Sequence, residues 1–291
     1  MTLSDISMLI PLYASAPQLP RLRHNIESHA AAGGPVILSD QHGLDDTGPR
    51  LASEYRNVLY LPPDPYETTR NWVANTNRLI TACRTPFFRI LPHDDTAAAE
   101  DTRHLVQPLR DESRIVVSHG RVTAIDEAGN RLPQKDEPKR PLRPVDDDLI
   151  FSAGFFWQGL YSGAWKAAIR RDVHGGGPLL MRPTPTLRHT ERAWLFALSL
   201  LGQFTFTERA SLTKCYWSGS LTDSWRFTAQ DQIDAARVMA DYVTDLLPDN
   251  AEARALRFNL HLNAMRRANW YDGLCRQRPA FEPPAQFSDA N

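Results

Sequence analysis

The chain has 291 residues, 42% hydrophobic and 23% charged, which is the composition of an ordinary globular protein with a sizeable core. Its 33 basic and 34 acidic residues leave a net charge of −1, which argues against a protein that binds nucleic acid through a basic surface. Three widely separated cysteines predict neither a zinc site nor a disulfide framework, and no run reaches the ~20 apolar residues of a membrane helix, so we expect a cytoplasmic protein.

The first half of the chain alternates short apolar runs with helical patterns. The strand candidates are ISMLIPLY, PVILSD, NVLYLPP, FFRIL and SRIVVSHGRVTAID, and helical spacing separates the first four and follows FFRIL in AAAEDTRHLVQPLRD. Strands that alternate with helices over short links favour a mostly parallel sheet with helices on both faces. The sequence therefore predicts an α/β fold.

The second half opens with a change in composition. Residues 131–148 are rich in proline and charge, which predicts a surface loop, and a dense aromatic run follows from Phe155 to Trp165. TERAWLFALSLLGQF has the pattern of a buried helix, and FTFTERASLTKCYW that of one or two strands. Two helices, Ala229–Leu247 and Ala251–Trp270, are predicted near the C-terminus, and their apolar stripes are compatible with packing on the domain or with a homodimer.

Two adjacent aspartates, Asp94 and Asp95, end the fourth predicted strand. Ligands of open parallel sheets bind at the carboxyl ends of the strands, and paired carboxylates suit Mg²⁺ or Mn²⁺ with phosphate oxygens. The same residues, with Thr96, are also typical of the start of a helix. The pair alone does not separate a metal site from a helix cap.

Three further polar features have both a functional and a purely structural interpretation. Asp40 ends the second strand, where a carboxylate can bind a nucleoside or cap a turn. Glu191 opens an apolar helix as a general base or as a first-turn charge. Asn71 belongs to a set of asparagines that face a ligand or form the polar side of a helix. The sequence contains no phosphate-binding glycine loop, dinucleotide fingerprint or nucleophile elbow.

In their order, these pieces resemble the family 2 nucleotide-sugar glycosyltransferases of the GT-A fold. That family opens on a strand like LIPLYA, continues with a strand like LSDQHGLD, and has an acidic pair such as that of FFRILPHDD. It later shows a strand with a turn like VVSHGRVTAIDEAGN and a helix that opens on an acidic residue, as Glu191 to Gly202 does here. The resemblance covers about residues 4–225. It implies a GT-A domain over 1–225, with a nucleotide-binding half of about 1–130, an acceptor half of about 149–225, and a helical extension over 226–291.

The resemblance implies a role for each matching residue. Glu191 becomes the base of an inverting sugar transfer, Asp95 the ligand of Mn²⁺ or Mg²⁺, and Trp157 and Gln158 contacts of the acceptor. The expected donor is a nucleotide-diphospho-sugar such as a UDP-sugar, and the expected acceptor is a soluble metabolite, peptide or saccharide. The residues expected to bind the nucleotide are Pro11, Leu12, Tyr13, Asp40, Asn71 and Asp94.

Three departures from the family pattern keep a second hypothesis open. Ala14 stands where asparagine is usual, Gln41 replaces the second aspartate of the nucleotide motif, and Ser218 occupies the place of a frequent histidine. The alternative is a catalytically degenerate GT-A-like domain that binds a nucleotide or a partner. A nucleotidyltransferase is less compatible, because no glycine-rich, lysine-bearing loop follows the first strand.

Overall fold

The computed structural model describes residues 2–136, 164–218 and 225–277, and these form a seven-stranded sheet flanked by helices. The strands are β1 (Ile6–Leu12), β2 (Val36–Asp40), β3 (Val58–Leu61), β4 (Phe87–Ile90), β5 (Ile115–Asp126), β6 (Ala168–Arg170) and β7 (Gln203–Tyr216). The sheet order is β3-β2-β1-β4-β6-β5-β7, and only β6 runs antiparallel to its neighbours. The predicted mostly parallel sheet is confirmed, whereas β6 was not predicted.

Helices follow the predicted positions, and polar caps define several of their ends. They are α1 (Leu19–Ala31), α2 (Thr47–Glu54), α3 (Trp72–Ala82), α4 (Ala99–Asp111), α5 (Thr190–Ser199), α6 (Ala229–Leu246) and α7 (Ala251–Gln277). Thr228 and Asp231 cap α6 reciprocally, because each side chain accepts a hydrogen bond from the other's backbone N–H. Among the described residues, no helix combines the length and apolar character that a membrane crossing requires.

Side chains of β1 and β4 alternate between the two faces of the sheet, as the strand period of two requires, and apolar residues cover both faces. On one face, Phe88 of β4 stacks against Trp194 of α5 with ring centroids 6.4 Å apart. The apolar cluster on this face also contains residues of α3, α6 and α7. On the other face, α1, α2 and α4 cover Met8 and Ile10 of β1 and Phe87 of β4. The C-terminal helices thus share a core with the sheet, and the domain boundary at 225/226 stays a prediction.

β5 and β7 pair in parallel over most of their length. As a result, the C-terminal part of β7 lies near the residues that follow β4. A register shift between His119 and Arg121 brings Gly120 against β7, where a Cβ would lie 2.4 Å from the carbonyl oxygen of Ala210. Only glycine fits there. Beyond the shift, Thr213 forms a bridge with Thr96. The residues that follow Thr213 are therefore close to the acidic pair.

Three buried histidines make stability depend on pH. Burial lowers the pKa of His29 and His119 to about 4 and that of His189 to about 3. The unfolded chain binds more protons than the folded chain between these values and about 6.5, so stability should fall as pH falls through that window. We expect His119→Gln to lose about 2 kcal/mol less than the wild type between pH 7 and pH 5. Urea unfolding at both pH values measures this, with the exposed His24→Gln as control; equal losses would contradict it.

Candidate active site

The carboxyl ends of β1, β2 and β4 meet through contacts among polar and aromatic side chains. The Ser15 hydroxyl accepts a hydrogen bond from the backbone N–H of Tyr13 (3.0 Å) and lies 2.6 Å from Nδ1 of His93. The exposed ring of Tyr13 contacts His42 edge to face, with centroids 5.0 Å apart. Residues that follow three different strands therefore form one continuous rim. This is the edge at which open parallel sheets bind ligands.

Asp40 caps the turn that follows β2. Its Oδ1 accepts hydrogen bonds from the backbone N–H groups of His42 (2.9 Å) and Gly43 (3.0 Å). Asp40 therefore stabilises the turn after β2, which is the structural interpretation given to it from the sequence. Next to it, Gln41 is 4% exposed and its buried Oε1 has no hydrogen-bond partner among the described residues. Asn75 of α3 joins the strand ends, since its Nδ2 donates to the carbonyl oxygens of Leu12 and Ser39.

Asp95 forms a buried ion pair with Lys166. The Lys166 ammonium donates to Oδ2 of Asp95, and the backbone N–H of Cys215 donates to Oδ1 at 3.2 Å. The exposed fractions of the Lys166 and Asp95 side chains are 5% and 1%. Burial raises the pKa of Asp95, and the charge of Lys166 opposes that rise. Both carboxylate oxygens thus have protein partners, and a metal ion at Asp95 would have to displace Lys166.

Asp94 has the more accessible carboxylate of the pair. It is half-buried, and its Oδ2 accepts a hydrogen bond from Nε1 of Trp217 at 2.9 Å. Arg21 holds the backbone at this point, donating to the Asp94 carbonyl oxygen at 3.0 Å. No three histidine, cysteine, aspartate or glutamate side chains within the described ranges lie together as a ready metal site. A single carboxylate suits Mg²⁺ or Mn²⁺ only where phosphate oxygens and water complete the coordination shell.

Glu191 lies in the first turn of α5, and one of its carboxylate oxygens is buried. This atom, Oε2, has no hydrogen-bond partner in the described part of the chain. Burial raises the pKa of Glu191, and the charges of Arg192, Lys214 and Lys166 partly oppose that rise. His189, two residues before Glu191, has a left-handed backbone conformation (φ 60°) and is the residue at which the helix begins. A carboxylate with a raised pKa is suited to accept a proton.

Asp95 and Glu191 share two basic neighbours. Lys166 and Lys214 act electrostatically on both Asp95 and Glu191, which are 96 positions apart in the sequence. Lys214 belongs to β7, which pairs with β5. Lys166 lies just before β6, which also pairs with β5, so both lysines come from the same part of the sheet. The strand end that carries Asp95 and the start of α5 are therefore linked through the charges of the same two lysines.

The other predicted site residues have more varied surroundings. Pro11 is half-buried and Leu12 is buried in the core, whereas Tyr13 is 58% exposed. The Asn71 side chain accepts a hydrogen bond from the backbone N–H of Ala74 (2.9 Å) and caps α3. Ser218 is exposed, and its backbone N–H donates to Oε1 of Glu127. The predicted acceptor contacts Trp157 and Gln158 lie outside the described residues.

Sequence reasoning missed Lys166 and Trp217, which contact Asp95 and Asp94. A lysine inside the apolar stretch GAWKAAI was the available signal, because a charge is rarely buried without a partner. No comparable signal marked Trp217.

Comparison with known proteins supports the fold and leaves the sequence family open. No family model and no curated protein matches the sequence. Residues 1–349 of S. aureus TarS, solved with UDP-GlcNAc, superpose with a TM-score of 0.65 at 13% identity over 92% of this chain and 73% of that one. A longer S. aureus TarS structure matches 91% of this chain but 43% of its own. The mannosyltransferase PcManGT of Pyrobaculum calidifontis, solved with GDP-Man and Mn²⁺, gives 0.51 at 12% identity over 95% and 76%.

These similarities and the sheet order described above define the fold class of the protein. The chain has the GT-A fold, a Rossmann-like, mostly parallel sheet flanked by helices, with further helices at its C-terminal end.

Proposed function

We propose that this protein transfers a sugar from a nucleotide-diphospho-sugar to an acceptor hydroxyl. The observation that carries the proposal is the Asp94–Asp95 pair after β4, at the ligand-binding edge of a GT-A sheet, where Trp217 and Lys166 hold the two carboxylates. Two proteins of similar fold were solved with UDP-GlcNAc and with GDP-Man, which supports a donor of this class. The rim formed by Tyr13 and the β2 end, including Asp40, is proposed to bind the nucleotide.

In the proposed reaction, Glu191 acts as the general base. The acceptor oxygen forms a bond to the anomeric carbon while the bond between that carbon and the diphosphate breaks, and the diphosphate leaves with the bonding electrons. The acceptor proton passes to Oε2 of Glu191, the atom without a partner in the described structure. Attack from the face opposite the leaving group inverts the anomeric configuration.

The proposed metal ligand is Asp94 rather than Asp95. Asp95 already has Lys166 and the Cys215 N–H as partners, whereas Asp94 is half-buried and next to it. When bound, Mn²⁺ or Mg²⁺ would neutralise the negative charge of the diphosphate. Asp95 is then a positioning residue whose ion pair fixes the backbone that carries Asp94.

Asp94→Asn should weaken donor binding at least about 10-fold in the presence of Mn²⁺, because the ion loses the carboxylate proposed to bind it. Isothermal titration with UDP-GlcNAc and with GDP-Man, each with Mn²⁺ and with EDTA, measures the effect. Glu252→Gln, an exposed change on α7, is the matched control. Absence of wild-type binding to either donor would contradict the proposed function, and unchanged binding in Asp94→Asn would contradict the ligand assignment.

A non-catalytic nucleotide-binding domain is the second candidate. The buried Lys166–Asp95 ion pair favours this candidate, because the Lys166 ammonium occupies the position next to Asp95 at which a catalytic metal ion is expected. Donor binding without release of nucleoside diphosphate on any acceptor would support this candidate over sugar transfer.

A further inference from the structure

The turn that precedes α5 has a strained backbone. Among the described residues, three that are not glycine have a positive φ, and two of them, Leu187 (63°) and His189 (60°), lie within residues 184–190. Residues other than glycine adopt this left-handed conformation at a cost, and it persists where surrounding contacts hold it. Glu191 is two residues beyond His189, in the first turn of the helix that this segment starts. The position of Glu191 therefore depends on a turn that needs support from the rest of the chain.

Hydrogen bonds within the turn join its two ends. The Thr184 hydroxyl donates to the carbonyl oxygen of Arg188 at 2.7 Å, and the Thr184 N–H donates to the Thr190 hydroxyl at 3.1 Å. Neither bond involves the side chain of Leu187 or His189. These bonds shape the turn, but they do not attach it to the helices around it.

The first turn of α6 binds this segment through a buried carboxylate. Asp231 is 0% exposed, and its Oδ1 accepts a hydrogen bond from the Thr186 hydroxyl at 2.6 Å. Its Oδ2 accepts from Nη1 of Arg188 at 3.1 Å, and from the N–H and the hydroxyl of Thr228 at 2.6 and 2.9 Å. The bonds from Thr228 cap α6, whereas those from Thr186 and Arg188 are not part of a helix cap. Asp231 thus joins the start of α6 to the turn before α5.

Two neighbours of Asp231 contact His189 itself. The buried Gln232 side chain donates from Nε2 to Nε2 of His189 at 2.7 Å. Phe227 stacks on the same imidazole, with ring centroids 4.6 Å apart. One of the two strained residues is therefore held both on the face and at the edge of its ring. We call Phe227, Asp231 and Gln232 the α6 clamp.

We propose that the α6 clamp positions Glu191 for proton transfer, and that Asp231 and Gln232 are positioning residues of the reaction. This inference rests on the proposed function, which assigns the general base to Glu191. A base acts only within hydrogen-bond reach of the proton, and a displacement of about 1 Å can cost about 10²-fold in rate. When the clamp is loosened, the left-handed residues relax and the first turn of α5 moves with them. The clamp therefore affects the chemical step through the backbone that carries Glu191.

Gln232→Leu removes the hydrogen bond to His189 with little change in volume. With Mn²⁺, and water or glycerol as acceptor, we expect it to slow single-turnover release of UDP from UDP-GlcNAc, or of GDP from GDP-Man, at least about 10-fold, while donor Kd stays within about 2-fold. Asp231→Asn should act in the same direction. Gln230→Leu is the matched control, because it makes the same change at an exposed position of the same helix. Leu260→Ala, a core change in α7 outside the clamp, controls for a loss of stability.

A change at Leu187 distinguishes positioning from a general loss of structure. Glycine adopts a φ of 63° without strain, so adding Leu187→Gly to Gln232→Leu should raise the rate of release at least about 3-fold. The same change in the wild type, where the clamp already holds the turn, should give no increase. A rate that falls as far in Leu260→Ala as in Gln232→Leu, or the absence of rescue by glycine, would overturn the positioning role.

Hydrogen exchange tests the clamp without relying on activity. Amide exchange of residues 184–193 should be faster in the two clamp variants than in the two controls. Unchanged exchange would overturn the clamp, and faster exchange with a wild-type rate of release would overturn the positioning role alone. If the wild type binds neither donor, the proposed function and the positioning role both fail, while exchange still decides whether the clamp holds the turn. Thermal unfolding identifies any variant that is not folded; if Gln232→Leu is one, Phe227→Leu replaces it with the same expected changes.

Discussion

Replacing Glu191 by glutamine should lower the rate of sugar transfer by about 10²- to 10⁴-fold, the usual contribution of a positioned general base. Glutamine has nearly the same shape but cannot accept the acceptor proton. Because the nucleotide is proposed to bind at the strand ends, donor Kd should stay within about 2-fold of the wild type. Single-turnover release of nucleoside diphosphate measures the chemical step, and titration with the donor measures binding.

The pH dependence gives an independent test of this role. Burial raises the pKa of Glu191 above the ordinary value of a glutamate. A base must be ionised to act, so the transfer rate should fall as pH falls through that raised pKa and stay level above it. Glu208→Gln, an exposed change on β7, is the control and should match the wild type. A Glu191→Gln variant with wild-type turnover would remove Glu191 from the mechanism.

Lys166→Met should destabilise the folded protein by about 3–5 kcal/mol, because it leaves the buried Asp95 carboxylate without its cation. Methionine fills a similar volume, so the lost charge rather than a cavity dominates the effect. Chemical unfolding in urea measures the difference at pH 7. The Lys166 and Asp95 side chains are 5% and 1% exposed, so solvent screens their attraction little.

A double variant separates the charge from the packing. Lys166→Met with Asp95→Asn removes both charges and should recover much of the stability, since an uncharged pair has no unpaired ion. A surface change, Lys135→Met, is a suitable control because Lys135 is exposed, and it should cost less than about 1 kcal/mol. If Lys166→Met proves as stable as the wild type, the ion pair does not form in solution.

Most of the fold could be predicted because its signals are local. Apolar runs and helical spacing indicated β1 to β5 and all seven helices within the described ranges. No comparable pattern predicted β6, which has only three residues and depends on pairing with β4 and β5. Its antiparallel direction is a property of the assembled sheet, and no periodicity within three residues records it.

Site residues were harder to predict because their roles depend on contacts between distant segments. Adjacent aspartates are equivalent in sequence, yet Asp95 is directed towards Lys166, 71 residues later, and Asp94 towards Trp217, 123 residues later. Asp40 and Asn71 cap local turns and helices, as their residue types allow, while any nucleotide contact stays a prediction. Strand ends can be located from sequence, but the partner of each carboxylate cannot.

Lys166 also determines where the chain returns to the sheet. Its backbone carbonyl accepts a hydrogen bond from Nε of the buried Arg89 at 3.0 Å, while its ammonium binds Asp95, so both its backbone and its side chain are fixed by residues at or next to β4. A single residue thus joins the backbone that enters β6 to the strand β4 and to the acidic pair that follows it. A change of side chain at position 166 removes the contact with Asp95 but keeps the backbone hydrogen bond from Arg89, so the path of the chain and the charge balance of the acidic pair can be altered separately.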